Sequence, residues 1–424
     1  MEYMDDNRYG VGIDIGTGSV KVVVGVWPRD SAENDESILP NIIGVSMQSS
    51  AGMRKGIITD ITKVSRVLDK ALSQAEQMSG QAIHHATFSV NGTKITGIQS
   101  RGVVAVNGDR QTIGPSETER VIKAAQVVKL APNQIILNAS PRTYKVDNQD
   151  GIRDPIGMTG VRLEVDAFVT TALSPQLRNI DSVASNSNID QTGPCIPAGV
   201  ASSSIALNDQ QKENGAASLD IGHSTTTLVV YDDGDIVDIK VLPIGSNNIT
   251  SDLAIGLQTD LDIAEQVKIQ HAVAAPQLRR GNEEMVAIKV TQPDGSVHKI
   301  GFKTELIDTI VATRLAELFE LVNKELKRIH RAGALPGGIM ITGGGAKLRG
   351  ITDFSRMALQ INTHAFAPQN YQTVSKLAAD PSFTTAIGLM EQDLSQVMNG
   401  SEQGRRRSGN GGGGIFAKLF HFGK

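Results

Sequence analysis

The chain has 424 residues, of which 40% are apolar and 20% are charged, and its 41 Lys and Arg against 45 Asp and Glu give a formal charge of −4. This apolar content is too high for a disordered chain, and the near-neutral charge argues against bulk binding to nucleic acid. The single cysteine, Cys195, excludes an internal disulfide framework and fits a reducing compartment.

The first seven residues are acidic and lack an apolar core, so we do not expect a signal peptide. No stretch of about 18 uninterrupted apolar residues predicts a helix that spans a bilayer. These features predict a soluble, intracellular protein, and its length predicts about two to four domains.

Two segments repeat one pattern about half a chain apart. Residues 12–24 and 217–230 each contain an apolar run, then Asp-Ile-Gly, then small polar residues, and then a β-branched run. This pattern predicts a β-hairpin with glycine and hydroxyl residues at its tip. The repeat indicates a duplicated domain; two unrelated hairpins are the alternative.

Between the two repeats, the pattern alternates between strands and helices, which indicates a small α+β insertion in the first domain. The predicted elements are a helix at 61–78 capped by Asp60 and ended by Gly80, a hairpin at 86–106, a helix from a capping box at 116–119 to about Lys129, and strands at 135–137 and 161–171.

After the second repeat, the apolar residues recur mainly at helical spacing. The predicted elements are helices at 251–257 and 261–274, a charged hairpin at 285–302, a long helix at 304–331 with a continuous apolar stripe, and a strand followed by a turn at 338–350.

The C-terminal segment has a different composition from the rest. Residues 399–414 are rich in Gly, Ser and Arg, which predicts a flexible linker. Five basic residues and no carboxylate lie in 405–424. The apolar side chains that follow share one face of a helix, which predicts a segment lying in a membrane interface, with docking in a partner's groove or on the protein's own body as the alternative. These side chains are Ile415, Phe416, Leu419, Phe420 and Phe422.

The tips of the two repeated hairpins carry residues that suit a phosphate, because glycine N–H groups and hydroxyls there point at one place. Two such loops facing each other would hold a triphosphate from both sides. Asp14 and Asp220, just before the loops, could hold a hydrated Mg²⁺ ion. Lys21 could reach phosphate oxygens, or it could be a solvated lysine at a strand end.

Two further patterns are candidates for nucleotide contacts. Residues 338–350 run from an apolar strand into three glycines, which let a backbone pass close to a ring or a phosphate, although a purely structural turn is the alternative. The motif matches neither a P-loop nor a GxGxxG fingerprint. Glu265 and Lys268 share one helical face, and a surface ion pair is the alternative there.

The order of these motifs resembles that of the actin, Hsp70 and sugar-kinase ATPase superfamily. The insertion and the amphipathic tail narrow the resemblance to the FtsA family of bacterial cell-division proteins, over residues 9–424. The resemblance implies an α/β, actin-like (ribonuclease-H-like) two-domain ATPase fold, with an inserted small α+β subdomain and a C-terminal amphipathic helix.

The resemblance also implies a division into domains. The first actin-like domain would comprise 1–85, 169–200 and 376–398; the inserted subdomain 86–168; the core of the second domain 201–250 and 335–375; a subdomain of the second domain 251–334; a flexible linker 399–414; and the membrane-targeting helix 415–424.

The function implied is that of an ATP-binding protein, with Mg²⁺, that polymerises and tethers FtsZ filaments to the cytoplasmic face of the membrane at the division septum. The partners implied are the FtsZ C-terminal tail, other copies of the chain, anionic lipid, and further division proteins through the inserted subdomain, but no nucleic acid. The alternatives are an actin homologue of type IV pilus assembly, similar to PilM, and an actin-fold phosphotransferase. Neither accounts for the detached tail.

By the same resemblance, each motif acquires a role. The first phosphate loop would consist of Gly16, Thr17, Gly18 and Ser19, and the second of Gly222, Ser224, Thr225 and Thr226. The nucleoside would be contacted by Glu265, Lys268, Gly344, Gly345 and Lys347. The FtsZ tail would bind at Arg314 and Glu317.

Two departures from the family pattern favour binding over fast hydrolysis. His223 and Ser224 stand where the family more often has glycine. Residues 196–203 contain no Glu or Gln that could orient an attacking water, and an unoriented water reacts slowly. We therefore expect weak or absent ATPase activity and assign no catalytic residue.

Overall fold

The computed structural model describes residues 9–28, 39–107, 111–279, 284–291 and 297–407. Its strands, in chain order, are β1 (Tyr9–Ile15), β2 (Ser19–Val26), β3 (Asn41–Ser49), β4 (Met53–Arg54), β5 (Ile57–Ile58), β6 (His85–Val90), β7 (Thr96–Ala105), β8 (Gln134–Val146), β9 (Gln149–Ile152), β10 (Arg162–Leu173), β11 (Asp190–Gln191), β12 (Ile196–Pro197), β13 (Ala216–Ile221), β14 (Thr226–Asp232), β15 (Asp235–Leu242), β16 (Met285–Thr291), β17 (Val297–Lys303), β18 (Gly338–Thr342) and β19 (Thr363–Ala365).

Helices cover the sheets and connect their strands. They are α1 (Ile61–Ser79), α2 (Pro115–Ala125), α3 (Ser174–Asn186), α4 (Ala198–Ala206), α5 (Asp209–Glu213), α6 (Ser246–Gly256), α7 (Leu261–His271), α8 (Thr304–Arg328), α9 (Ile351–Leu359) and α10 (Thr384–Arg407), with short 3₁₀ turns at Pro276–Leu278, Gly344–Lys347, Lys376–Ala379 and Pro381–Phe383. Within the described ranges, each helix is too short or too polar to span a bilayer.

The first sheet has the order β11-β6-β1-β2-β3, with β12 also paired to β6. Its strand β1 is antiparallel to β2 and parallel to β6. Apolar side chains of β1 at alternate positions, such as Val11 and Ile13, join the core beneath α1. On the opposite face a Cβ on Gly12 would lie 2.0 Å from the carbonyl oxygen of Ala386, so glycine allows α10 to lie directly on the strand.

A buried carboxylate fastens α10 to this sheet. Asp393 accepts hydrogen bonds from the backbone N–H of Val11 and the hydroxyl of Thr87, both at 2.8 Å. Its Oδ2 also lies 3.1 Å from Nδ1 of His85. Since these partners come from β1 and β6, Asp393 ties the last described helix to two central strands.

The second sheet has nine strands in the order β19-β18-β13-β14-β15-β7-β10-β8-β9. The first five come from the second half of the chain, and β13 is antiparallel to β14 and parallel to β18. A separate core lies between this sheet and the helices α6, α7 and α8, with Leu253, Val267 and Phe319 among its buried members.

The inserted α+β unit continues the second sheet, although both of its chain connections lead to the first. Strand β7 meets β15 at one ladder position, between Thr96 and Lys240. The turn after β14 adds a second contact, because Arg153 donates to Asp235 Oδ2 at 2.7 Å and to the carbonyl of Asp233. The insertion has its own small core around α2.

Several predicted elements are confirmed with shifted ends. Helix 61–78 is α1, and Asp60 caps it by accepting from Lys63 N at 3.0 Å. The helices predicted at 251–257, 261–274 and 304–331 are α6, α7 and α8, of which α6 begins five residues earlier and the other two end three residues earlier.

Three predictions are wrong. The hairpin at 86–106 does not form, because β6 pairs in parallel with β1 while β7 pairs with β10, and residues 86–90 therefore belong to the first sheet. Helix α2 is capped at Gly114, whose N–H is bound by the Glu117 carboxylate, so the capping box does not begin at Ser116. Residues 399–407, predicted as linker, continue α10.

Candidate nucleotide site

The first predicted phosphate loop follows β1 and is closed by a hydrogen bond from Gly16 N to Ser19 O at 3.1 Å. Beneath it, Lys21 Nζ lies 3.1 Å from Asp14 Oδ2, with 8% and 11% of the two side chains exposed. Ser89 Oγ donates to the other carboxylate oxygen at 2.9 Å. Burying an ion pair costs free energy, so its place at a strand end marks a candidate functional position.

The second predicted phosphate loop is held in shape by the start of α6. Gly222 N donates to Thr225 O at 2.9 Å. The carbonyl of Gly222 accepts from both the N–H and the hydroxyl of Ser246, at 2.9 and 3.1 Å. The carbonyl of His223 accepts from Asn247 N at 2.8 Å. The backbone of this loop is therefore fixed from behind.

The two predicted metal-binding aspartates influence each other. Burial, and then the negative charge of Asp14, raise the pKa of Asp220 to about 6, against hydrogen bonds from Thr385 and Ser202 and the charge of Lys21. Thr385 Oγ1 donates to Asp220 at 3.1 Å. Two carboxylates in this relation would be stabilised by a divalent cation, and oxygen ligands suit Mg²⁺.

The two loops touch. A Cβ placed on Gly18 would lie 2.9 Å from Cβ and Cγ of His223 and 3.1 Å from its Nδ1, so the ring rests on the glycine. Partial burial, and then the charge of Lys268, lower the pKa of His223, while Glu265 opposes them. The lowered pKa favours the neutral form of the ring at pH 7.

The glycine-rich turn after β18 packs against the end of β13. A Cβ on Gly343, which has a φ of +79°, would lie 2.2 Å from Asp220 Oδ1, and one on Gly345 would lie 2.3 Å from Ile221 Cγ2. A Cβ on Gly344 would meet nothing within 4 Å. Of the three glycines, Gly344 faces open space and its neighbours serve packing.

Glu265 and Lys268 on α7 form more than a surface pair. Lys268 Nζ lies 2.6 Å from Glu265 Oε2 and 2.8 Å from Thr250 Oγ1. It also donates to the carbonyl of Ser246 at 3.3 Å. Because Ser246 itself binds Gly222, this network connects α7 to the second loop.

Three other predicted nucleotide contacts have partners within the protein. Thr226 is wholly buried and its hydroxyl donates to the carbonyl of Ile244 at 2.8 Å, so this side chain does not face the loops, which corrects the prediction. Thr17 Oγ1 accepts from Gly56 N at 2.8 Å. Lys347 is paired with Asp380 at 2.8 Å.

The predicted partner-binding residues lie on a separate surface, on α8. Arg314 makes two hydrogen bonds to Asp252 of α6, at 2.5 and 2.9 Å, and one to Glu317. The predicted membrane residues Ile415, Phe416, Leu419, Phe420 and Phe422 lie outside the described residues.

Ser89 and Thr385 donate hydrogen bonds to Asp14 and Asp220, and neither residue was predicted from the sequence. Ser89 is next to the end of β6 and Thr385 is in the first turn of α10. No local motif marks either residue, since each contributes a hydroxyl from a strand or a helix far away in the sequence. Only the pairing of β6 with β1 and the packing of α10 bring them to the site.

Two family models match the chain. "Cell division protein FtsA" matches residues 217–388, and "SHS2 domain inserted in FTSA" matches 92–171. The cell division protein FtsA of Bacillus subtilis (strain 168) is 35% identical over 388 residues, which are 92% of this chain and 84% of that protein.

Among solved structures, the PilM-PilN type IV pilus biogenesis complex has a TM-score of 0.63 at 16% identity, over 91% of this chain and 98% of that chain. MreB5 of Spiroplasma citri bound to ADP has a TM-score of 0.53 at 14% identity, over 96% of this chain and all of that chain. Similarity at this level of identity speaks for the fold alone, and it confirms the predicted actin-like architecture. The two family models and the 35% identity to the Bacillus subtilis protein over 92% of this chain show that the chain belongs to the FtsA family of cell division proteins.

Proposed function

We propose that the chain binds ATP and Mg²⁺ between the two loops and, as a polymer, tethers FtsZ filaments to the cytoplasmic face of the membrane at the division site. The observation that supports nucleotide binding is the contact between the two loops at Gly18 and His223. Close to the loops lie two aspartates, of which Asp14 raises the pKa of Asp220. A phosphate chain would be enclosed there by backbone N–H groups from both loops.

Each residue around this point has a separate proposed role in nucleotide binding. Asp14 and Asp220 would hold the metal ion, whose charge offsets that of the phosphates. Lys21 would add a fixed positive charge next to the first loop, since a Cβ on Gly16 would lie 3.9 Å from its Nζ. Gly344 would leave room for the nucleoside, which a side chain at that position would occupy.

Slow turnover fits the same surroundings. The carboxylates Asp14 and Asp220 are assigned to the metal ion, and residues 196–203, in β12 and the start of α4, contain no Glu or Gln that could orient an attacking water. A water molecule that no side chain orients reacts slowly. We therefore propose that ATP acts chiefly by controlling the conformation and the self-association of the protein.

The test uses the open space at Gly344. Gly344→Val should leave the thermal unfolding midpoint nearly unchanged, because a Cβ at this position has no protein atom within 4 Å. It should weaken Mg-ATP binding by at least about tenfold, as judged by titration calorimetry. Gly345→Ala is the contrast, because its Cβ would collide with Ile221 and lower the unfolding midpoint. Unchanged ATP affinity in a folded Gly344→Val protein would refute the proposed site.

A further inference from the structure

His223 differs from the other loop residues in how it is held. Its backbone is fixed, because its carbonyl accepts from Asn247 N at 2.8 Å and a Cβ on Gly245 would come within 2.6 Å of the same oxygen. Its side chain is exposed, and its ring makes no hydrogen bond to any residue that the structure describes. A ring on a fixed backbone, with only packing to hold it, can change rotamer at little cost.

The ring also occupies a particular place. It rests on Gly18, at the point where the tips of the two loops meet. A triphosphate threaded between the loops would bring its last phosphate closest to this contact, whereas a diphosphate would end short of it. The charged groups that face His223, namely Lys268 and Glu265 on α7, are already bound to each other at 2.6 Å. The Lys268 ammonium is therefore already engaged with partners of the same chain, whereas the His223 ring has no such partner among the described residues.

We propose that His223 is a positioning residue for the terminal phosphate, and that its ring leaves Gly18 to donate a hydrogen bond to ATP but not to ADP. The inference rests on the proposed nucleotide site and adds a residue that sets the preference for triphosphate. In this structure the ring lies between the tips of the two loops, against Gly18. A hydrogen bond to a charged phosphate is about twice as strong as one between neutral groups, so its loss should be measurable.

The neutral state of the ring supports this role. A neutral imidazole carries one N–H donor, and the rotation of the side chain can present that donor to an oxygen acceptor. The imidazole therefore adds a side-chain donor to the backbone N–H groups of the second loop.

The experiment compares Mg-ATP and Mg-ADP affinities by titration calorimetry for the full chain and for His223→Ala. We expect His223→Ala to lower the preference for ATP over ADP by about tenfold, with ADP affinity nearly unchanged. A damaged loop would instead weaken both nucleotides alike. His223→Gln should restore part of the preference, because its amide is also a donor. His364→Ala, a histidine substitution on β19, is the control and should match the wild type.

The outcomes separate the two proposals. Equal ATP preference in the wild type and in His223→Ala would overturn the role of His223 while leaving the nucleotide site standing. Loss of affinity for both nucleotides in His223→Ala would also overturn it, since that result would indicate that His223 maintains the structure of the loop. Absence of any nucleotide binding by the wild type would overturn both the site and this inference.

Discussion

Asp14 and Asp220 occupy equivalent positions at the ends of β1 and β13, but their surroundings differ. Asp14 has a cationic partner, Lys21, at 3.1 Å. Asp220 accepts a hydrogen bond from the neutral hydroxyl of Thr385. Burial and the charge of Asp14 raise its pKa to about 6. The first carboxylate is compensated in the absence of a metal ion, whereas the second is compensated only in part. Substitution of the two residues should therefore have opposite effects on stability.

For Asp220→Asn we expect a more stable protein without nucleotide. The folded-state pKa lies above the value of 3.8 for a free aspartate, so the folded protein binds the proton more tightly and loses stability as pH rises from about 4 to about 6. At pH 7 the substitution should therefore raise the free energy of unfolding, by up to about 2 kcal/mol, and the gain should vanish near pH 4. Urea unfolding at both pH values measures this.

Asp14→Asn provides the matched comparison. It leaves Lys21 buried without a counter-charge, so we expect a loss of about 3 kcal/mol at pH 7. Both substitutions should reduce the stabilisation that Mg-ATP gives to the wild type, because each removes a proposed metal ligand. If Asp220→Asn proved as destabilising as Asp14→Asn, the assigned electrostatic difference would be wrong.

At the scale of helices, the pairing between α6 and α8 bears on the proposed partner site. Asp252 already occupies the guanidinium of Arg314 with two hydrogen bonds. An acidic peptide that binds Arg314 must therefore compete with a carboxylate of the same chain. This competition predicts how substitutions on the two helices should differ.

We expect Asp252→Asn to strengthen the binding of an FtsZ C-terminal tail peptide, by roughly fivefold, because it removes one of the two carboxylates that pair with Arg314. Arg314→Glu should lower the affinity for the same peptide by at least about tenfold and leave the affinity for ATP unchanged. Fluorescence anisotropy with a labelled peptide measures both. If neither substitution alters peptide affinity, the FtsZ tail does not bind at this pair.

The elements also show which features the sequence can predict. Helical periodicity identified α1 and α8, and the two Asp-Ile-Gly repeats identified the hairpins β1–β2 and β13–β14, because these signals are local. The partner of β6 could not be inferred, since β6 pairs with β1 more than seventy residues away while its neighbour in sequence, β7, joins another sheet. For the same reason, the contacts of Ser89 and Thr385 with the two aspartates could not be inferred from the sequence.

Side-chain environment was a second limit at the site. The composition of the loops predicted a phosphate site, and Thr226 was predicted to be part of it. The sequence does not show, however, whether the hydroxyl of a threonine at a loop end faces a ligand or a backbone carbonyl. In the structure the Thr226 hydroxyl donates to a carbonyl. In the same way, three consecutive glycines do not reveal that Gly344 alone faces open space. Such distinctions depend on how the helices and strands pack together, which the sequence alone does not show.

For the whole molecule, the tether proposal predicts that attachment depends on the C-terminal tail. A chain ending at Arg407 retains all of α10 and should fold and bind ATP normally, but it should not float with anionic liposomes. Phe416→Glu in the full chain should behave like the truncation, because it places a charge on the predicted apolar face. Flotation with Mg-ATP and FtsZ is the measurement.

Polymerisation should increase attachment in the full chain. A filament carries many tails, and once one is bound the others act at high effective concentration. Omission of ATP should therefore reduce the floated fraction of the full chain. Equal flotation of the full and the truncated chains would contradict the tether proposal, whatever the nucleotide.

The position of α10 on β1 also has a consequence for synthesis on the ribosome. Asp393 binds Val11 across 382 residues of sequence. At about 5–20 residues per second, the first strand waits roughly 20–80 s before the helix that covers it has been made. During that time one face of the first sheet has no cover, so this sheet can be completed only after α10 has been made. The nascent chain therefore depends on protection from aggregation until α10 leaves the exit tunnel.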